Sequence, residues 1–191
     1  MKTKAILSLS GILVLFCLVL TGPAHGQATD GQFVIHMGAA YAKTTEENAD
    51  SGFFGIDIFA GKMITNNICI GVGVGYDIAH YSGKGDLKER LALIPMTAKA
   101  LYFVNFGPML QMYVSAAGGV YRAMPHLAGG KIGDIGYTTN QPGGSVGIGL
   151  DYWFLLTTGV GFGFEYHTFK TDGDDLFSYF TARVDYTLIK F

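Results

Sequence analysis

The twelve residues from Ile68 to Ala79, ICIGVGVGYDIA, constrain the fold more than any other stretch of the chain. In an extended strand, successive side chains point to opposite faces. One face of this strand would carry isoleucines, valines and a tyrosine, while the other would carry a cysteine, three glycines, Asp77 and an alanine. Soluble sheets usually bury the bulky apolar face and turn the polar face to water. A face that carries glycines and one acid instead favours a narrow barrel, whose bulky side chains face lipid and whose interior is small and polar. A buried strand of a soluble sandwich stays open as the alternative.

The first residues predict export. Lys2 and Lys4 precede an apolar run, Ala5–Leu20, which is followed by Pro23-Ala24-His25-Gly26. A basic start, a short apolar core and small residues at the end are typical of a secretory signal peptide. We expect cleavage after Gly26, so that residues 1–26 are removed and residues 27–191 form one barrel domain. An uncleaved anchor helix is the weaker alternative, because the apolar run is shorter than the ~20 residues that span a bilayer.

Charge and cysteine content exclude several classes of function. Without Lys2 and Lys4 the chain has 11 basic and 15 acidic residues, a net charge of −4, which argues against a nucleic-acid partner. Cys17 lies within the leader and lacks the small residue that precedes a lipidated cysteine, so a lipoprotein is disfavoured. Cys69 is then the only remaining cysteine, and we interpret it as a small side chain facing the lumen. No metal or cofactor is expected, since the chain contains no HExxH, CxxC, P-loop or GxGxxG motif.

Eight segments of alternating hydrophobicity predict an all-β fold, an eight-stranded antiparallel up-and-down transmembrane barrel. The predicted strands are 33–41, 53–63, 68–79, 91–103, 109–121, 144–154, 159–168 and 178–191. The connections alternate strictly between short turns and long polar segments, and the long ones are 43–51, 82–90, 122–143 and 170–177. This alternation is typical of barrels with short periplasmic turns and long external loops.

Two local features add expectations. Pro95 lacks an amide donor, so we expect a bulge or a strand end there. Six aromatic residues near strand ends predict a girdle at the membrane interfaces. These are Tyr41, Tyr76, Tyr102, Tyr152, Trp153 and Tyr166.

The predicted inward faces collect the ionisable residues. They are Asp57, Asp77, Lys99, Asp151, Glu165, His167, Arg183 and Asp185, together with His36 and Gln111. An isolated buried ion is very costly, so we expect Lys99 and Arg183 to lie among the acids in one polar network. The simplest interpretation is a filled, rigid lumen, because an eight-stranded interior is just wide enough for its own side chains. A narrow path for small cations is the alternative, since rings of acids favour cations.

Several motifs carry a resemblance to a known family. They are Ile94-Pro95-Met96-Thr97 with Leu101-Tyr102-Phe103, Tyr113-Val114 with Gly118-Gly119-Val120-Tyr121, Gly147–Tyr152, Gly163-Phe164-Glu165-Tyr166 and the terminal Phe191. In this order they resemble the small eight-stranded outer-membrane barrels of the OmpX and OmpA kind over almost all of residues 27–191. The resemblance implies a location in the cell outer membrane, contact with its lipid and lipopolysaccharide, and insertion by the barrel-assembly machinery.

The same resemblance makes Phe191 the residue that the assembly machinery reads. One feature departs from the family pattern, because the apolar row of the last strand occupies even positions from Phe180 to Leu188 whereas Phe191 is odd. Either a bulge near Leu188–Lys190 shifts the face, or the assembly signal is weak.

The resemblance implies a structural or surface-interaction role. We expect the four long connections to reach a partner outside the cell. A cation channel is one alternative, and a lipid-A-modifying enzyme with a serine, histidine and acid is another. Glu165 and His167 share a face, but no serine adjoins His167, so an enzyme is disfavoured.

Overall fold

The computed structural model describes residues 28–45, 53–82, 88–126, 139–170 and 176–190. These residues form eight antiparallel strands in a closed barrel of order β1 to β8, with β8 paired back to β1. The strands are β1 Phe33–Thr44, β2 Phe53–Met63, β3 Ile68–Ser82, β4 Lys88–Asn105, β5 Leu110–His126, β6 Thr139–Leu155, β7 Thr158–Lys170 and β8 Leu176–Lys190. Within these ranges no helix is long and apolar enough to cross a membrane. The predicted up-and-down barrel is confirmed.

Side chains are arranged inside-out relative to a soluble protein. On β3, Ile70 and Val72 have 52% and 66% of their surface exposed on the outside of the barrel. Asp77 of the same strand and Asp151 of β6 are 3% and 0% exposed in the interior. A soluble sandwich would show the opposite pattern, so the outward apolar belt favours lipid as the surrounding medium.

The strand register determines the stagger of the barrel. Starting at Ile35 on β1, a row of paired residues runs once around the barrel and returns to Thr45, the residue that follows β1, ten residues further on. The row passes through Ala60, Val72, Ala98, Gly118, Gly144, Thr168 and Ser178. We call it the ladder row. Because strand tilt and stagger are linked, the row climbs from the end with short turns to the end with long connections.

Strands extend further into the long connections than the sequence suggested. The predicted loop 122–143 contains the end of β5, as far as His126, and the start of β6 from Thr139. The predicted loop 82–90 likewise contains Ser82 of β3 and the first residues of β4 from Lys88. Polar composition misled the prediction here, because paired backbones satisfy their own hydrogen bonds and tolerate polar side chains above an apolar belt.

Neither expected irregularity occurs in the described strands. Val74 pairs with Met96 and Asp77 with Leu93, which is one continuous register on both sides of Pro95. The missing amide therefore interrupts the pairing with β3 without a bulge or a strand end, and β5 still pairs with Pro95. The register of β8 is also uniform to Lys190, so the bulge near Leu188–Lys190, one of the two explanations for the odd position of Phe191, is absent. Phe191 lies outside the described residues.

The short turns are closed by local hydrogen bonds. Between β2 and β3, the Thr65 hydroxyl accepts from the backbone N–H groups of Asn67 and Ile68 at 3.2 and 3.1 Å. Between β4 and β5, Gly107 has φ +89°, a conformation that side-chain-bearing residues rarely adopt. Gly31 has φ +84° and its N–H donates to the Met63 carbonyl, which fixes the segment before β1 to the turn-side end of the barrel.

Two apolar layers fill the ends of the interior. The turn-side layer consists of Ala28, Val34, Phe59, Met63, Cys69, Leu101, Phe103, Tyr113, Trp153 and Ile189. The loop-side layer consists of Ala42, Leu93, Tyr121, Ala123, Phe169, Phe177 and Tyr179. The lumen was predicted to be polar, and neither apolar layer was predicted. Trp153 is fully buried in the turn-side layer, so its assignment to an interface girdle was wrong.

Candidate functional site

Arg183 of β8 links four strands through the middle of the lumen. Its Nε donates to Asp185 Oδ2 at 2.9 Å, and its Nη1 donates to Asp57 Oδ2 at 2.9 Å and to Glu165 Oε2 at 3.0 Å. Its Nη2 donates to the Tyr113 hydroxyl oxygen at 2.9 Å. Since these partners lie on β8, β2, β7 and β5, one guanidinium cross-links opposite walls of the barrel.

Lys99 of β4 adds a second cation. Its Nζ donates to Glu165 Oε2 at 2.7 Å, the same oxygen that Arg183 contacts. The other oxygen of Glu165 accepts a short hydrogen bond from the Ser145 hydroxyl on β6. We define the lumen ion cluster as Asp57, Lys99, Glu165, Arg183 and Asp185. All its members are buried except Asp57, whose side chain is 17% exposed.

Glycines on the inner face make room for this cluster. A Cβ at Gly163 would lie 2.9 Å from the Tyr113 hydroxyl and 3.0 Å from Arg183 Nε. A Cβ at Gly149 would overlap the Tyr113 ring. The repeated glycines therefore serve the close approach of large polar side chains across a narrow lumen.

Asp77 and His167 lie outside the lumen ion cluster, towards the loop-side layer. The Tyr179 hydroxyl donates to Asp77 Oδ2 at 3.3 Å, and the Tyr179 ring stacks on His167 with centroids 4.5 Å apart. The two ring nitrogens of His167 contact the Tyr121 hydroxyl at 3.1 Å and Thr181 Oγ1 at 3.3 Å. These contacts join the polar middle of the lumen to the aromatic end.

Asp151 lies on the turn side of the lumen ion cluster. Its Oδ1 accepts from the Thr187 hydroxyl at 3.1 Å, and its Oδ2 is 3.6 Å from His36 Nε2. Below this pair, Trp153 Nε1 donates to Gln111 Oε1 at 3.3 Å. The eight predicted site residues therefore occupy one continuous interior but form three groups, of which only the central one contains Lys99 and Arg183.

The contacts of the lumen residues are suited to cross-linking the barrel walls. Ser145, Glu165 and His167 come close along the inner wall, as a serine, histidine and acid set would require. However, Ser145 donates to Glu165, and both nitrogens of His167 are engaged by Tyr121 and Thr181. Among the described residues no group of three or more histidines, cysteines or acids is placed to hold a metal ion.

Sequence reasoning missed the neutral partners of the charged residues. Tyr113, Tyr121 and Tyr179 supply hydroxyls to Arg183, His167 and Asp77, respectively. All three tyrosines occupy inward positions of their strands. Their alternation with outward apolar residues was the available signal, because a buried tyrosine hydroxyl usually has a polar partner.

Comparison with known families identifies the barrel. Residues 12–187 match the model of the family described as outer membrane protein beta-barrel domain. The chain belongs to this family. Membership agrees with the outward apolar belt and with the expected place of this barrel in the outer membrane of a Gram-negative envelope.

Solved outer-membrane barrels share the fold of this family member. Neisserial surface protein A superposes with a TM-score of 0.60 at 17% identity, covering 83% of this chain and 99% of that one. OprG from Pseudomonas aeruginosa superposes with a TM-score of 0.59 at 10% identity, covering 88% and 99%. Ail, the attachment invasion locus protein of Yersinia pestis, gives 0.52 at 16% identity, covering 84% and 100%. No curated protein sequence matches this chain. At these identities the likeness establishes the fold alone.

Proposed function

We propose that this outer-membrane barrel is a sealed structural module that presents its long connections to partners outside the cell. The observation that carries the proposal is the course of Arg183 across the lumen, between carboxylates on β2, β7 and β8. An apolar layer of buried side chains packs the interior on each side of this cross-link, which supports a sealed lumen. A cylinder filled in this way suits a rigid support for loops and not a conduit.

Planar-bilayer recording tests whether the barrel is sealed. We expect no steady conductance from the purified, folded protein, because ions would have to cross two aromatic layers and a paired guanidinium. Steady cation-selective conductance that falls in Asp57→Asn or Asp151→Asn would overturn the sealed barrel in favour of the narrow cation channel. Heat-modifiable migration on gels, measured before each recording, shows that the protein is folded.

Replacement of the connections tests the surface role. The proposed contact segments are 43–51, 82–90, 122–143 and 170–177. The residues that lie between the described ranges at these places are 46–52, 83–87, 127–138 and 171–175. Exchange of 127–138 for a glycine-serine linker leaves β5 and β6 in place. We expect the variant to fold normally and to lose binding of intact cells to extracellular or host-surface ligands. Unchanged binding by variants in all four segments would contradict the surface role.

Two further tests address assembly and enzymatic activity. For assembly, we propose that Phe191 is read by the barrel-assembly machinery as a weak signal, because no bulge shifts the face of β8 as far as Lys190. Phe191→Ala is therefore expected to lower the amount of folded protein in outer membranes only modestly. For activity, we expect lipid A from cells with and without the gene to have the same acyl chains by mass spectrometry. A gene-dependent change in acyl chains would favour a lipid-A-modifying enzyme instead.

A further inference from the structure

Two of the short turns carry large apolar residues on their exposed sides. Phe106 lies in the turn between β4 and β5, and Phe154, Leu155 and Leu156 lie at the end of β6 and in the turn that follows it. Their exposed fractions range from 40% for Phe154 to 64% for Leu156. Short turns are usually built from small or polar residues such as glycine, asparagine and serine. We define these four residues as the turn-side patch.

The two turns are neighbours, and the patch continues the apolar belt. The Trp153 N–H donates to the Met109 carbonyl at 2.8 Å, which joins the end of β6 to the turn before β5. Above the patch, Val104 of β4, Val114 of β5 and Leu150 of β6 are exposed on the outside of the barrel. A contiguous exposed apolar surface of this kind marks contact with a membrane or a partner.

The sequence around both turns contains no charged residue. None occurs between Lys99 and Arg122, a stretch that includes the turn after β4, or between Asp151 and Glu165, a stretch that includes the turn after β6. A surface in contact with water normally carries charged side chains. The composition therefore favours an apolar medium around these two turns.

Polar groups in both turns are hydrogen-bonded within the barrel. The Thr157 carbonyl accepts from the Ile189 N–H at 2.8 Å, and the Asn105 side-chain oxygen accepts from Gln111 Nε2 at 2.9 Å. Backbone and amide groups must be satisfied internally wherever lipid replaces water. These turns can therefore lie at the boundary between the head groups and the acyl chains.

The other side of the turn-side end is polar. The turn between β2 and β3 contains exposed Thr65 and Asn66, and the Asn66 side-chain oxygen accepts from the Asp30 N–H at 3.2 Å. Thr29 and Asp30 are exposed beside it, and Lys62 is exposed on the outer face of β2. The turn-side end thus has an apolar half and a polar half.

The apolar half projects further along the barrel axis. A row of paired residues connects Lys62 on β2 with Val146 on β6 through Ile70, Ala100 and Ala116. Four strand spacings of about 4.8 Å towards the loop side and nine residue rises (155 − 146) of about 3.3 Å towards the turn side, at a tilt of about 40°, place Leu155 roughly 10 Å beyond Lys62. A membrane surface that leaves Lys62 hydrated and covers Leu155 is therefore inclined to the barrel axis.

We propose that the turn-side patch inserts into the inner leaflet of the outer membrane and that the barrel axis is tilted towards it. Phospholipid is the occupant, because the patch is continuous with the lipid-facing belt and its turns offer no charge to water or to a polar partner. The turn between β2 and β3 stays among the head groups or in water. The proposal rests on the membrane placement of the proposed function and is independent of the sealed lumen.

Single indoles placed on the two halves test the difference in depth. In a Trp153→Phe background, Phe106→Trp places the indole in the patch and Thr29→Trp places it on the polar side. The vesicles contain phospholipid brominated near the head-group end of the acyl chain. We expect this lipid to quench the indole at position 106 roughly threefold more than the indole at position 29, because an interfacial apolar side chain reaches about 5–10 Å into this boundary. Acrylamide in water is expected to give the opposite order.

The possible contrary results are distinguishable. Equal acrylamide quenching at positions 106 and 29 overturns the proposal by placing both turns in water. Weak quenching at position 106 by both reagents also overturns it, because a protein partner or a second copy would then cover the patch. Tyr102→Trp in the same background reports the belt. If brominated lipid fails to quench there, the membrane placement itself is wrong, and the patch with it.

Polar substitution tests whether the patch acts as one surface. Leu155→Ser and Leu156→Ser, added together to the protein with its indole at position 106, are expected to raise acrylamide quenching roughly twofold, because the patch loses apolar contact with the leaflet. Ile64→Ser removes an exposed apolar residue from the polar side and is expected to leave the quenching unchanged. Equal effects of the two changes overturn the proposal. Heat-modifiable migration of each variant shows that the barrel is folded.

Discussion

Lys99 on β4 and Glu165 on β7 meet inside the barrel, with Nζ 2.7 Å from Oε2. Both side chains are almost completely buried, and the oxygen that Lys99 contacts also accepts from Arg183. A buried ion pair is favourable only when its remaining hydrogen-bonding capacity is satisfied, and here Ser145 engages the other oxygen of Glu165. Glu165 is therefore the acceptor on which both lumen cations converge.

A double-mutant cycle on this pair is the first prediction. Glu165→Gln is expected to destabilise the barrel by about 3–5 kcal/mol, because it leaves two buried cations short of a carboxylate. Lys99→Met is expected to cost less, since Arg183 and Ser145 still bind Glu165. The double variant is expected to be more stable than the sum of the single effects, as groups in direct contact couple. The free energy of unfolding is measured by urea titration in lipid vesicles for the wild type, the two single variants and the double variant. Additive effects of the two substitutions would contradict the coupling.

Removal of the central guanidinium is the second prediction. Arg183→Met leaves Asp57, Asp185 and Glu165 without their shared cation, so a loss of about 3–5 kcal/mol is expected. Lys62→Met removes an exposed lysine at the end of β2 and is expected to change stability by no more than about 0.5 kcal/mol. The same urea titration compares them. A similar small effect of both substitutions would show that Arg183 is not a structural cross-link.

For these charged residues, the sequence predicts the face of the strand but not the contacts between strands. The period of two placed Asp57, Lys99, Glu165 and Arg183 on inner faces, because a single apolar belt fixes the phase of every strand. Which of them meet is set by the stagger of the closed barrel, and stagger is a property of the whole ring of registers. The spacing of residues in the sequence does not determine this stagger. The separation of Asp77 and Asp151 from the central group could therefore not be predicted.

The apolar layers were missed for a related reason. Three bulky aromatic residues occupy inward positions, namely Phe59, Tyr121 and Phe169. The expectation that bulky apolar side chains face lipid does not predict aromatic residues there. The interior of a small barrel must be packed along its whole height, and charged side chains fill only its middle. Buried aromatic rings therefore occupy the two ends of the interior, above and below the charged middle.

Neighbouring glycines on opposite faces give the third prediction. Gly119→Ala places a methyl group against the Met96 carbonyl oxygen, and over-packing of this kind typically costs about 1–3 kcal/mol. Gly118→Ala meets nothing closer than 4.0 Å and is expected to be neutral or slightly stabilising, since it reduces the freedom of the unfolded chain. Thermal or urea unfolding of the two variants side by side measures the difference. Equal stability would show that inner-face glycines are not required by wall-to-wall packing.

The position of Trp153 gives the fourth prediction, and it distinguishes the lumen from the membrane interface. Trp153 is the only tryptophan of the chain, it is fully buried, and its indole nitrogen donates to Gln111 inside the barrel. Its fluorescence in the folded state is therefore expected to resist quenching both by acrylamide in water and by brominated acyl chains in the bilayer.

A matched protein makes the fluorescence test decisive. In Trp153→Phe with Tyr102→Trp, the single indole replaces a half-exposed tyrosine on the outer face of β4, where brominated lipid is expected to quench it strongly. If brominated lipid quenched Trp153 as strongly as this control, the indole would lie at the interface and the turn-side layer would be open. Resistance of Trp153 alone would place its indole inside the turn-side end of the barrel, because the two proteins share one barrel and carry the single indole on opposite faces.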